Sequence, residues 1–84
     1  MMVDRNVIEQ AYAFFHQKLK VYEHSSSERE MDNIEATISS YTDAMSAELF
    51  DKLSSGNRSY LHEHTSFLID LSDAIQKMEK WLDQ

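Results

Sequence analysis

Apolar residues recur at the three-and-four spacing of an α-helix in three long stretches of this chain, and the pattern lapses at only two places. The first lapse is His24-Ser25-Ser26-Ser27, and the second is Ser54-Ser55-Gly56-Asn57. Ser27 with Glu30, and Asn6 with Glu9, have the spacing of capping boxes. Gly56 suits the left-handed residue that closes a helix, and Asn57 or Ser59 can cap the next one. Charge agrees with these ends. Glu28, Glu30 and Asp32 crowd one expected N-terminus, and Lys52, Lys77 and Lys80 lie near expected C-termini, as the helix dipole favours. The pattern predicts helices over 4–23, 28–54 and 58–83.

The first helix has a broad apolar arc containing Val7, Ile8, Ala11, Tyr12, Phe14, Phe15, Leu19, Val21 and Tyr22. The second has a narrow seam of Met31, Ile34, Ile38, Tyr41, Met45, Leu49 and Leu53. The third repeats that spacing with Leu61, His64, Leu68, Leu71, Ile75, Met78 and Leu82, beside a parallel row of Phe67, Ala74 and Trp81. A repeat kept this long predicts near-parallel helix packing. Short connections make neighbours antiparallel. The expected fold is all-α, an antiparallel up-down-up three-helix bundle forming a single domain over 1–84.

Composition strengthens the helical reading. The chain of 84 residues has no proline and one glycine, where average usage predicts about four and six. The turn residues of an all-β fold are therefore missing. Cysteine is absent as well, which removes disulfides and thiolate chemistry and fits a reducing compartment. No apolar run is longer than Ala11-Tyr12-Ala13-Phe14-Phe15, so no membrane span is expected and the chain reads as soluble and cytoplasmic. The net charge of −7 is concentrated in residues 25–56, which carry seven acidic and two basic side chains. Such a surface repels phosphate backbones, so neither nucleic acid nor an anionic membrane is an expected partner.

The stretch Leu61-His62-Glu63-His64-Thr65 is the one that invites a chemical reading. On a helix, residues two apart point about 200° from one another, so His62 and His64 cannot share a metal ion there. The zincin spacing needs a second histidine at position 66, which is Ser66. The Glu-x-x-His pair of di-metal bundles is also absent. His64 is expected to be buried and neutral in the leucine seam, with a depressed pKa and a bundle that weakens in acid. No serine has a nucleophile-elbow context, and no Gly-rich loop offers a phosphate cradle. No catalytic residue, cofactor or metal is expected. Lys18, inside the apolar arc of the first helix, reads as a snorkelling side chain, with a pairing to Glu35 as the alternative.

The expected function is a non-enzymatic protein–protein interaction or regulatory module acting through a helical surface and self-associating as a homodimer. The alternatives are a small secretion-system-type chaperone or hairpin protein, an acidic nucleic-acid mimic, and a His-based metal-binding bundle. Small acidic helical hairpins with a Trp-x-Gly turn share this size and helicity. Ser54-Ser55-Gly56 has no tryptophan at that turn, so none of their functional residues carries over. The expected interface follows from lengths. The first helix is roughly 9 Å shorter than the others, which leaves the far end of the second hairpin uncovered. Leu49, Phe50, Leu53, Tyr60 and Leu61 occupy that tip, and a second copy is expected to cover them, with Met1, Met2 and Val3 as the alternative cover.

Overall fold

A computed structural model of the chain describes residues 4–83, and these contain four helices and no strand. They are α1 (Arg5–His24), α2 (Glu28–Ala44), α3 (Ala47–Ser54) and α4 (Phe67–Leu82). The all-α expectation holds, and the helices pack as a bundle. The count and the course of the chain differ from the three-helix expectation.

α1 starts on Asp4, whose carboxylate accepts from the Asn6 N–H at 2.9 Å, so Asp4 rather than Asn6 supplies the cap. At the next boundary Ser27 caps α2 as expected, its hydroxyl accepting from the Glu30 N–H at 3.4 Å. The expected second helix is interrupted at Met45 and Ser46, both with extended ψ angles, 170° and 128°. No glycine or proline marks the place. The interruption costs little, because Met45 N–H still reaches Tyr41 O at 2.9 Å and Phe50 N–H reaches Ser46 O at 3.1 Å. It re-aims α3 so that Leu49 and Leu53 are fully buried. Burying two leucines contributes about 1.5–3 kcal/mol each, against about 1 kcal/mol for a lost helical hydrogen bond.

The expected third helix loses its first third. Ser55 and Gly56 take positive φ, 53° and 88°, and close α3. Residues 55–66 then form a succession of turns, and α4 begins only at Phe67. At Leu61 the backbone is left-handed, with φ 62°, which costs a leucine about 1–2 kcal/mol. The compensation is visible: the side chain is buried, and the Leu61 N–H donates to Asp70 Oδ2 at 3.0 Å.

Cross-contacts give the helix directions. Arg5 Nη2 donates to Leu82 O at 2.7 Å, Tyr12 OH to Glu79 Oε2 at 3.1 Å, and the Tyr22 and Phe67 rings lie 5.1 Å apart. α4 therefore runs antiparallel to α1. α2 does the same on the other side, with Phe14 stacked on Tyr41 at 4.6 Å and Tyr22 OH on Glu35 Oε2 at 3.1 Å. The up-down-up expectation put the last helix antiparallel to α2. Instead the 55–66 segment makes the return passage, and α4 runs in the same sense as α2.

The largest fully buried side chains of the core are Phe15, Ile38, Leu49, Leu53, Leu61, Phe67, Leu71 and Met78. Four of the five residues expected at an uncovered tip, Leu49, Leu53, Tyr60 and Leu61, are thus inside the protein, and Phe50 is half-buried. The overhang does not form because α3 folds against the last turns of α4 and the return segment against its first two turns. Lys77 Nζ donates to Leu53 O at 2.7 Å, and Lys52 Nζ sits 4.4 Å from the Trp81 ring centre. Met1, Met2 and Val3, the alternative cover, lie outside the described residues. The buried face of α4 is also rotated from the expected seam. Phe67 and Ala74 of the second row join Leu71, Ile75 and Met78 inside, while Leu68 is 44% exposed.

Candidate functional site

The return segment has little periodic apolar content, and polar side chains hold it on two sides. Toward α4, Tyr60 OH lies 3.0 Å from Asp70 O and 2.9 Å from Asp73 Oδ2, and Ser66 Oγ donates to Asp70 Oδ2 at 3.3 Å. Burial, followed by the hydrogen bond to Asp73, pushes the Tyr60 hydroxyl far above its ordinary pKa. For Asp73, burial alone would raise the carboxyl. Hydrogen bonds from Lys77 and Tyr60 outweigh that and hold it below the usual carboxylate value.

Toward α2 the fasteners are the two histidines. His62 Nδ1–H donates to Tyr60 O at 2.8 Å, while Nε2 lies 3.2 Å from Asp43 Oδ1 and 3.3 Å from Thr42 Oγ1. His64 Nδ1 lies 3.0 and 2.9 Å from the two carboxylate oxygens of Glu35. His64 is not a core residue, contrary to the expectation; its side chain is 72% exposed, and Leu61 occupies the buried place beside it. Its pKa is raised rather than depressed. The hydrogen bond to Glu35 is the main cause, Coulombic attraction to Glu35 adds to it, desolvation opposes them, and Asp32 and Glu28 add smaller attractions.

Glu35 is where three elements meet. It projects from the second turn of α2 with a side chain only 16% exposed, and Tyr22 on α1 and His64 on the return segment both bond to it. Asp32, one turn earlier, stands on the same side. Glu28, Met31, Asp32, Glu35 and His64 line an open cleft of 530 Å³. One ligand-type atom from each of Asp32, Glu35 and His64 lies within 4.8 Å of the other two. Among the described residues this is the one such group of histidine, aspartate and glutamate side chains. The spacing of Asp32 and Glu35 is legible in the sequence; their meeting with a histidine 29 residues further on is not.

The remaining candidates fall apart. His16 stacks on Tyr12 at 5.7 Å and His24 ends α1, so neither joins His62 or His64. Lys18 makes no pair with Glu35; its amine lies 5.4 Å from the Phe14 ring centre, as snorkelling implies. Outside the cleft the main exposed apolar feature is the first turn of α4, where Ile69 is 71% exposed beside Leu68. Val21 near the end of α1 is also exposed. Among the described residues no helix is long and apolar enough to cross a membrane. Comparison with family models, with curated proteins and with solved structures finds no match for this chain.

Proposed function

We propose that the chain is a non-enzymatic interaction module of the cytoplasm, and that it contacts a basic protein partner through the first two turns of α4. The observation that supports this reading is the exposure of Ile69 and Leu68 in a chain whose other leucines and isoleucines are buried or half-buried. An isoleucine 71% in water contributes little to the fold, and the neighbouring Leu68, 44% exposed, enlarges the apolar contact it offers. Ser72, Asp73 and Gln76 border the same shallow groove, so the apolar anchor has a polar rim. The net charge of −7 selects a basic partner and speeds its encounter. The two exposed apolar side chains on α4 fall well short of the roughly 800 Å² per partner of a lasting complex, so the contact is transient.

A homodimer is the narrower form of the same reading, with a second copy on the α4 face instead of the buried tip. The repulsion between two chains of −7 weighs against it. The test pairs light scattering of the wild-type chain and Ile69→Glu with capture of partners from the cells of origin on both. The proposal expects a monomer in each case, equal helicity, and a basic partner retained by the wild type alone. A partner held equally by both proteins would refute the α4 site. A wild-type dimer dissociated by Ile69→Glu would replace the basic partner with a second copy.

A further inference from the structure

The cleft at the start of α2 has no part in the interaction reading, yet it gathers an unusual set of donors. The geometry points to a binding site for a divalent transition-metal ion of the zinc type, ligated by Asp32, Glu35 and His64 Nδ1. Zinc bound by two carboxylates and one imidazole, with water in the fourth position, has metal–ligand lengths near 2.0–2.2 Å and ligand atoms about 3.4 Å apart. The His64 and Glu35 atoms are already 2.9 Å apart, and no pair in the group exceeds 4.8 Å. Closing the remaining gap takes a movement on the order of 1 Å from the exposed Asp32 and His64 side chains, which a rotamer adjustment supplies.

Three further features separate this group from an ordinary acidic surface. The first is an imidazole delivered from a different element, held in place by the buried Leu61 and the clamped return segment. A nitrogen donor shifts preference from calcium or magnesium, which take oxygen ligands, toward zinc and its neighbours. The second is Tyr22, buried on α1, whose hydroxyl donates to Glu35 Oε2 at 3.1 Å and leaves Oε1 free of that bond. An outer partner that orients a ligand carboxylate is what a metal site requires. The third is charge. Among the described residues no lysine or arginine pairs with Glu28, Asp32 or Glu35, so His64 alone faces three carboxylates. The open cleft gives an entry path, and Glu28 lines it where it can add an oxygen directly or through water.

The His64 proton that bridges to Glu35 occupies the place the metal takes. Binding breaks that Nδ1–H bond: the imidazolium releases the proton to solvent, or the neutral ring moves to its Nε2–H tautomer. The ligand is then a neutral imidazole with Nε2–H, and the metal bonds the freed Nδ1 lone pair with no change of oxidation state. The metal then fastens α2 to the segment leading into α4.

The test titrates the metal-stripped full chain with zinc chloride, using calorimetry for stoichiometry and the histidine ring NMR signals for location. The expected result is one zinc per chain, perturbation of His64 without His16 or His24, and a thermal midpoint that rises with zinc concentration. His64→Ala and Asp32→Asn change only exposed side chains, and each is expected to weaken binding by about tenfold or more at unchanged helicity. Tyr22→Phe keeps the ring, and the loss of its hydroxyl is expected to weaken binding by about tenfold. Absence of zinc uptake, or uptake that survives both ligand variants, would overturn the site. Binding of calcium in preference to zinc would overturn the metal class. Ile69→Glu leaves every ligand in place and is expected to bind zinc like the wild type, so this inference and the interaction reading fail separately.

Discussion

The α1–α2–α4 body and the 45–66 segment are built on different physics. In the body, cohesion comes from periodic apolar faces: Ile8, Ala11 and Phe15 on α1 and Leu71, Ala74 and Met78 on α4, with aromatic pairs such as Phe14–Tyr41 and Tyr22–Phe67 between helices. Such packing tolerates exchange among apolar residues of similar size. In the 45–66 segment, α3 is short and the rest is irregular. Leu49, Leu53 and Leu61 anchor it in the core, and individual polar bonds set the course of the turns: Leu61 N–H on Asp70, Tyr60 on Asp73, His62 on Asp43, His64 on Glu35. These bonds are directional and few, and several share a group, as Asp70 Oδ2 accepts from both the Leu61 N–H and Ser66 Oγ. The 45–66 segment is therefore the part of the molecule that a single polar substitution, a proton or a bound ion can loosen or tighten.

The most costly single substitution in the 45–66 segment is expected at Leu53. If α3 is packed as fully as the body, Leu53→Ala should cost about 2–5 kcal/mol in urea unfolding, close to the cost of Leu71→Ala. A cost near zero would return Leu53 to an exposed tip. Next in size is Asp70→Ala, which leaves the Leu61 N–H without its acceptor. Denaturation should register a loss of about 1–3 kcal/mol, and hydrogen exchange should quicken at Leu61 while α1 amides keep their protection. Equal acceleration throughout would mean that the segment does not open separately.

A finer test uses the backbone of Leu61. Glycine in place of alanine normally destabilises, but at φ 62° the order should reverse. Leu61→Ala and Leu61→Gly both lose the buried side chain, and the glycine variant should be the more stable by about 1 kcal/mol. The usual order would show that Leu61 is not left-handed in solution.

The smallest effect concerns His64, and its sign opposes the one a buried neutral ring would give. Because Glu35 raises the folded-state pKa above the ordinary value of about 6.5, the pair stabilises the fold fully below that value. The contribution is lost as pH rises through the raised folded value. In metal-free buffer, stability should therefore decline slightly from weakly acidic toward alkaline pH, and Glu35→Gln should erase the decline. NMR titration reads the same fact directly: a His64 midpoint below 6.5 would contradict the contact with Glu35.

The amino-acid sequence by itself determined the helical class, because it lacks the residues that stop helices and repeats apolar positions at helical spacing. It determined the ends of α1 and the start of α2 to within a residue or two, since Ser27 is a local signal acting on its own neighbours. It also located much of the core of those helices, from Phe15 to Ile38. Tertiary structure alone decided the interruption at Met45–Ser46, the turns of 55–66 and the exposure of His64. In those places local helix preference is worth only tenths of a kcal/mol per residue. Burial of Leu49, Leu53 and Leu61, and bonds from Asp70 and Asp73 one to two turns into α4, outweigh it. The Asp32–Glu35–His64 cleft belongs to the same category. Its two carboxylates share a helix face that spacing reveals, but the histidine reaches them only because the chain between α3 and α4 turns back along α2.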